Sequence, residues 1–166
     1  MAVRFRGESL NKVDAKGRVS IPASFRRVLQ SADPSSGDGK PAGLVIVYGP
    51  ASRNHLECFT IEAMAEVDRK ISELPRGSKR RRILERIYSG QAVDVIVDEG
   101  GRMVLPPKCR EKLGALDSAY FIASGDTFQI WNVDTFEAEE APGVDDLIDD
   151  LPEGMDPLEL HERELE

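Results

Sequence analysis

This 166-residue chain has only two cysteines and two histidines. Cys58 and Cys109 form no CxxC pair, and His55 and His161 lie far from them and from each other, so no clustered Cys/His metal site can be assembled. The same thiol scarcity suits a reducing compartment rather than a disulfide framework. Aromatic residues make up 6% of the chain, which predicts a mostly aliphatic core. No apolar run approaches the roughly 18 residues of a membrane span, and the stretch from Met1 to Asp14 has no apolar segment of signal-peptide length. A cytoplasmic protein without a membrane partner is expected. A catalytic set is missing too. Ser20 and Ser24 have no histidine at a motif distance, His55 sits in a strand-like stretch that suits packing or the surface, and His161 lies near the end. No enzymatic activity, cofactor or small-molecule ligand is expected.

Charge is abundant but unevenly placed. The net charge is −8, which taken whole opposes contact with nucleic acid. From Asp134 to Glu166 there are 14 acidic residues and one basic, whereas the preceding 133 residues hold 21 basic and 16 acidic. A body of +5 therefore carries a tail of −13, and the body's charge permits an anionic partner.

The chain also repeats itself. "DAKGRVSIPASFRRVL" from Asp14 to Leu29 and "DEGGRMVLPPKCREKL" from Asp98 to Leu113 match at six of sixteen positions with a constant offset of 84. The identical pairs are Asp14/Asp98, Gly17/Gly101, Arg18/Arg102, Pro22/Pro106, Arg26/Arg110 and Leu29/Leu113. In each copy a strand leads to a glycine reversal, then a short alternating strand, then a helix opened by proline. Phe25, Val28 and Leu29, or Cys109 and Leu113, form the buried side of those helices, and Gly114 ends the second. A strand, a glycine turn and a second strand follow in each copy, with Thr60 and Asn132 near helix starts as candidate N-caps. The connection from Ser31 to Gly43 lacks apolar anchors and reads as a mobile surface loop.

Between the copies, Ile61, Met64, Val67, Ile71 and Leu74 form one helical stripe ended by Pro75. A second helix spans Ser78 to Gly90 with Ile83, Leu84, Ile87 and Tyr88 inward. The class is α+β, with units at 4–60 and 91–137, a helical connector at 61–90 and an acidic tail, expected to be disordered, at 138–166.

The turn "VDAKGRV" is the sharpest functional feature. Lys16 and Arg18 flank a glycine at a hairpin tip, with Arg4 and Arg6 on the strand before it. Arginine can bond a guanine edge bidentately and lysine can neutralise phosphate. Asp14/Arg18 and Asp98/Arg102 can equally pair across their turns as structural devices. The copies differ: the second turn replaces Lys16 by Gly100 and adds Glu99, so the extra basicity of the first has the look of function. The cluster from Arg76 to Arg86 reads either as a phosphate track or as a solvated or subunit-contacting helix face. The acidic tail reads either as a solubilising extension or as a competitor for the basic tips.

"FRGESLNKVDAKGRVSIPASFR" with "VDEGGRMVLPPKCREKLG" resembles the MraZ family, within the AbrB/SpoVT-like, swapped-hairpin group of bacterial DNA-binding proteins. The resemblance covers Arg4 to Phe136. It implies two tandem AbrB/SpoVT-like units, and a transcriptional regulator that binds short direct repeats in double-stranded DNA upstream of its own gene in a cell-division and cell-wall cluster. It further implies a ring-like homo-oligomer associated with the nucleoid. Carried over residue by residue, it implies DNA contact by Lys16 and Arg18, with Arg6 a weaker candidate, and a loop-structuring role for Asp14, Gly17, Asp98 and Arg102. The long Ser31–Gly43 loop and the acidic extension depart from the family. The alternative is an oligomeric scaffold that does not bind DNA, whose D-x-x-x-R turns make only subunit contacts.

Overall fold

A computed structural model describes residues 4–37, 40–114 and 117–162. The two halves of the repeat build matching elements. The first copy gives β1 (Glu8–Lys12), β2 (Arg18–Ser20), α1 (Ala23–Ser31), β3 (Gly43–Val47) and β4 (His55–Thr60). The helical connector follows as α2 (Ile61–Ser72) and α3 (Lys79–Glu85), the latter running into a π-helical turn at Arg86–Gly90. The second copy gives β5 (Ala92–Ile96), β6 (Arg102–Val104), α4 (Pro107–Leu113), β7 (Ser118–Ser124) and β8 (Thr127–Trp131). The 84-residue offset carries β1 onto β5 and β2 onto β6 residue for residue.

The copies are interleaved rather than side by side. Six strands form one antiparallel sheet in the order β1-β7-β8-β4-β3-β5. Exchanging the copies reverses this order into itself. The first strand of each copy therefore pairs with a strand of the other: β1 with β7, and β5 with β3. The remaining strands, β2 and β6, pair with each other in a separate ribbon that sets Val19 against Met103. Alternation dictates the ribbon's two faces. Val19 and Met103 are buried, whereas Arg18, Ser20, Arg102 and Val104 are exposed.

The fold is α+β. Its main core is less aliphatic at the centre than the composition predicts. Phe5, Phe25, Phe121 and Phe128 converge there, with ring centroids 5.0 Å apart for Phe5–Phe128 and for Phe25–Phe128. Leu29, Leu44, Ile46, Leu56, Leu105 and Ile130 surround them. β3 is buried on both faces, because Val45 and Val47 look away from this core into a second cluster with Phe59 and Met64. That cluster seats α2, whose first turn is capped by Thr60 Oγ1, accepting from the Ala63 N–H at 2.9 Å.

Two local expectations need adjustment. Ile83 was placed inward with Leu84, Ile87 and Tyr88, but it is 59% exposed, while Ile87 and Tyr88 pack on the second cluster. Ile83 lies in α3, ahead of the π-helical turn that carries Ile87 and Tyr88. In the loop from Ser31 to Gly43 the anchor is a carboxylate rather than an apolar group. Asp33, 6% exposed, accepts from the Gly43 N–H at 2.7 Å and from Ser35 N–H and Oγ. Burial would raise its pKa, but the bonds from Gly43 and Ser35 hold it below the usual value. Positions 38 and 39 of that loop lie outside the described residues.

Residues 134–166 form a second compact unit. After a helical turn at Val133–Thr135 come a π-helical turn, Phe136–Glu140, then α5 (Ala141–Asp149), and a 3-10 turn at Pro157–His161. Where the acidic composition led to an expectation of disorder, the described residues thus carry helical elements. Val144, Leu147 and Ile148 recur at helical spacing, which favours a helix despite the charge. Residues 163–166 lie outside the described residues.

Candidate nucleic-acid interface

The turn after β1 is organised by one carboxylate. Asp14 Oδ1 accepts from the backbone N–H groups of Lys16 and Arg18, each at 2.9 Å, and Oδ2 accepts from Arg18 Nε at 2.6 Å. The backbone closes the same loop: Gly17 N–H donates to Asp14 O at 2.9 Å and Asp14 N–H to Arg18 O at 3.0 Å. Gly17 has φ +83°, in the left-handed region that glycine enters at little cost. The bonds from Arg18 and Lys16 keep the Asp14 carboxyl below its ordinary pKa, so it is an anion at neutral pH.

The second turn repeats the backbone and drops the side-chain pair. Gly101 N–H donates to Asp98 O at 3.0 Å, Asp98 N–H to Arg102 O at 2.8 Å, and Asp98 Oδ1 accepts from Arg102 N–H at 3.0 Å. Gly101 has φ +77°. Among the described residues only the first copy joins its Asp and Arg side chains in an ion pair. What the copies share is backbone architecture, and what distinguishes the first is an oriented arginine with a lysine beside it.

Each turn is also held by the opposite copy. Leu105 N–H donates to Gly17 O at 2.8 Å, and Ile21 N–H donates to Gly101 O at 2.9 Å. Lys16 and Arg18 are exposed, and the Arg18 side chain bonds Asp14 through Nε alone. Arg6 is exposed just before β1, and Arg4 likewise. Arg102 joins Arg18 on the exposed face of the ribbon. The outer face of the ribbon thus carries two exposed arginines, with an exposed lysine in the turn that leads into it.

The basic cluster of the connector divides. Arg81 is partly buried; it donates to the Leu74 carbonyl at 2.8 Å and lies 3.5 Å from Glu85, so it holds the helix pair. Arg76, Lys79, Arg80, Arg82 and Arg86 are exposed. His55 stacks on Trp131 at 4.5 Å, and burial together with Arg53 and Lys112 lowers its pKa to about 4. Burial pushes both thiols up, that of Cys109 to about 12, so neither is a reactive thiolate. No described helix is long and apolar enough to cross a membrane. Among the described residues no group of three His, Cys, Asp or Glu could hold a metal ion.

The chain is 58% identical over 160 residues to "Transcriptional regulator MraZ" of Ruegeria sp. (strain TM1040), covering 96% of both chains. It is 46% identical over 169 residues to the protein of the same name from Cereibacter sphaeroides (strain ATCC 17029 / ATH 2.4.9), covering 98% of both. The chain belongs to the MraZ family. The likeness reaches a distant member: a Coxiella burnetii (strain Dugway 5J108-111) protein of that name is 30% identical over 154 residues, 89% of this chain and 96% of its own. No family model matches the chain. The resemblance carried by the duplicated D-x-x-x-R motif is thus borne out over nearly the full length.

Arg26 and Arg110 are the residues that residue-level reasoning passed over. Each lies against the turn glycine of the opposite copy. Their identity at the 84-residue offset was the available signal.

Proposed function

We propose that this MraZ-family chain is a transcriptional regulator that binds double-stranded DNA sequence-specifically, as a ring-like homo-oligomer on tandem direct repeats upstream of its own gene. Its place is the cytoplasm, at the nucleoid. The first of two AbrB/SpoVT-like units supplies the contact through Lys16 and Arg18, with Arg6 as a flanking cation. The observation that carries this reading is the asymmetry of the turns: one backbone design occurs twice, but only the first bears an exposed lysine and an arginine fixed by Asp14. Full-length relatives named as transcriptional regulators support it.

The mechanism follows from the geometry. Asp14 engages Nε of Arg18, which leaves the terminal guanidinium nitrogens to bracket a guanine edge or a phosphate. Lys16 adds a point charge for the backbone. One tip supplies two or three contacts, each worth about 1–3 kcal/mol. Neighbouring protomers on tandem repeats turn later contacts into intramolecular ones, so affinity comes from number. Gel shift and footprinting on the chain's own upstream region test this. Arg18→Ala is expected to lose the protected repeats while keeping the wild-type assembly mass; loss of assembly with Arg18→Ala favours the scaffold instead.

A further inference from the structure

Arg26 and Arg110 hold the same position in the repeat, and no contact described above uses their charge. Arg110 sits on α4 of the second copy, yet its side chain lies on the first copy's turn. A Cβ built on Gly17 would stand 3.0 Å from both Cζ and Nε of Arg110 and 3.1 Å from its Cδ. The guanidinium therefore fills the space that any other residue at position 17 would need. Arg26 does the same at the other turn, where a Cβ on Gly101 would lie 1.9 Å from its Nη1. Among the described residues, Nε of each arginine is buried without a hydrogen-bond partner.

An unpartnered buried donor on a charged group opposes folding, so an arrangement made twice calls for a compensating role. Asp14, Glu111 and Asp117 line the same groove as Arg110, yet among the described residues none forms an ion pair with it. The contact it does make is with backbone. Gly17 is gripped from two directions by one junction of the second copy: Leu105 N–H holds its carbonyl at 2.8 Å, and Arg110, one helical turn beyond, covers its Cα. The shielded Nε cannot reach a phosphate, but it lies where it can fix the angle of the turn.

We propose that Arg110 is a positioning residue for DNA binding: from the second copy it braces Gly17, and so sets the direction in which Lys16 and Arg18 meet the groove. The second copy thereby acts as the buttress of the first copy's reading head. This rests on the assignment of that turn as the DNA contact.

A double-mutant cycle with Arg110→Ala and Arg18→Ala, read as affinity for the upstream DNA, tests it together with amide hydrogen exchange on the free protein. Arg110→Ala is expected to weaken binding about tenfold in the wild-type background and less than about threefold in the Arg18→Ala background, since contacting or coupled residues are non-additive. Gly17 and Arg18 amides should exchange faster, and the Gly101 amide should not. Arg110→Lys, which keeps charge but not the planar group, should recover only part of the loss. A full additional loss in the Arg18→Ala background, with the salt slope falling by about one more unit, makes Arg110 a phosphate contact in its own right and overturns the positioning role. Wild-type affinity with unchanged exchange overturns it as well. If Arg18→Ala alone binds like wild type, the DNA assignment of the turn fails, and the exchange rates still decide whether Arg110 braces it. Should Arg110→Ala fail to fold, Arg110→Met, which retains the aliphatic stem, carries the same cycle.

Discussion

At Asp14 a single carboxylate serves three donors, two of them backbone, and this explains why an aspartate stands at the head of both turns. The backbone bond from the turn's arginine needs only the carboxylate, so it persists in the second copy, from Arg102 N–H to Asp98, without the side-chain pair. The aspartate, glycine and arginine of each turn were legible from the repeat alone. The Arg110 contact with Gly17 was not, because it joins residues 93 positions apart and depends on how the copies interleave. His55 offers a residue-scale prediction. Its folded pKa is about 4, against an ordinary value of 6.5, so the fold holds a neutral imidazole. Between those values the unfolded chain binds more protons than the folded one, and stability must decline as pH falls from 6.5 toward 4. His55→Gln should flatten that part of the stability–pH curve in urea melts; an unchanged slope rejects the assignment.

Elements were read best where a cap or a proline marks them. Thr60 caps its helix as expected, Ser78, expected to open its helix, caps it instead, and Pro22 and Pro106 stand immediately before theirs. Thr60 is 4% exposed, so its replacement by alanine removes a cap bond in a dry setting. Thr60→Ala should lower unfolding free energy by about 1 kcal/mol, seen as a lower denaturant midpoint at unchanged slope. Periodicity misplaced Ile83 of α3, which is exposed although Ile87 and Tyr88 pack on the second cluster. It also said nothing of strand order. Strand pairing is a long-range property, and a two-residue alternation names a strand's buried face without naming its neighbour.

For the whole molecule, interleaving is the decisive feature. β1 and β3 find partners only in the second copy and β4, so the segment 4–60 lacks the strands that close its sheet. Expressed alone, that segment should remain unfolded or recover its missing strands by dimerising; a folded monomer, by circular dichroism and mass, contradicts this. Charge belongs to the same scale. The net −8 that first opposed nucleic acid combines a +5 body with a −13 tail, and the tips that carry Lys16 and Arg18 belong to the body. The most direct test is a salt titration of binding to the upstream repeats and to a random duplex, with the full chain and its Arg18→Ala variant side by side. The full chain should prefer the repeats, and Arg18→Ala should lose that preference at unchanged assembly mass, with its salt slope lower by about one unit per contact removed. Equal preference and equal slope in the two proteins would contradict the assignment of this turn to DNA.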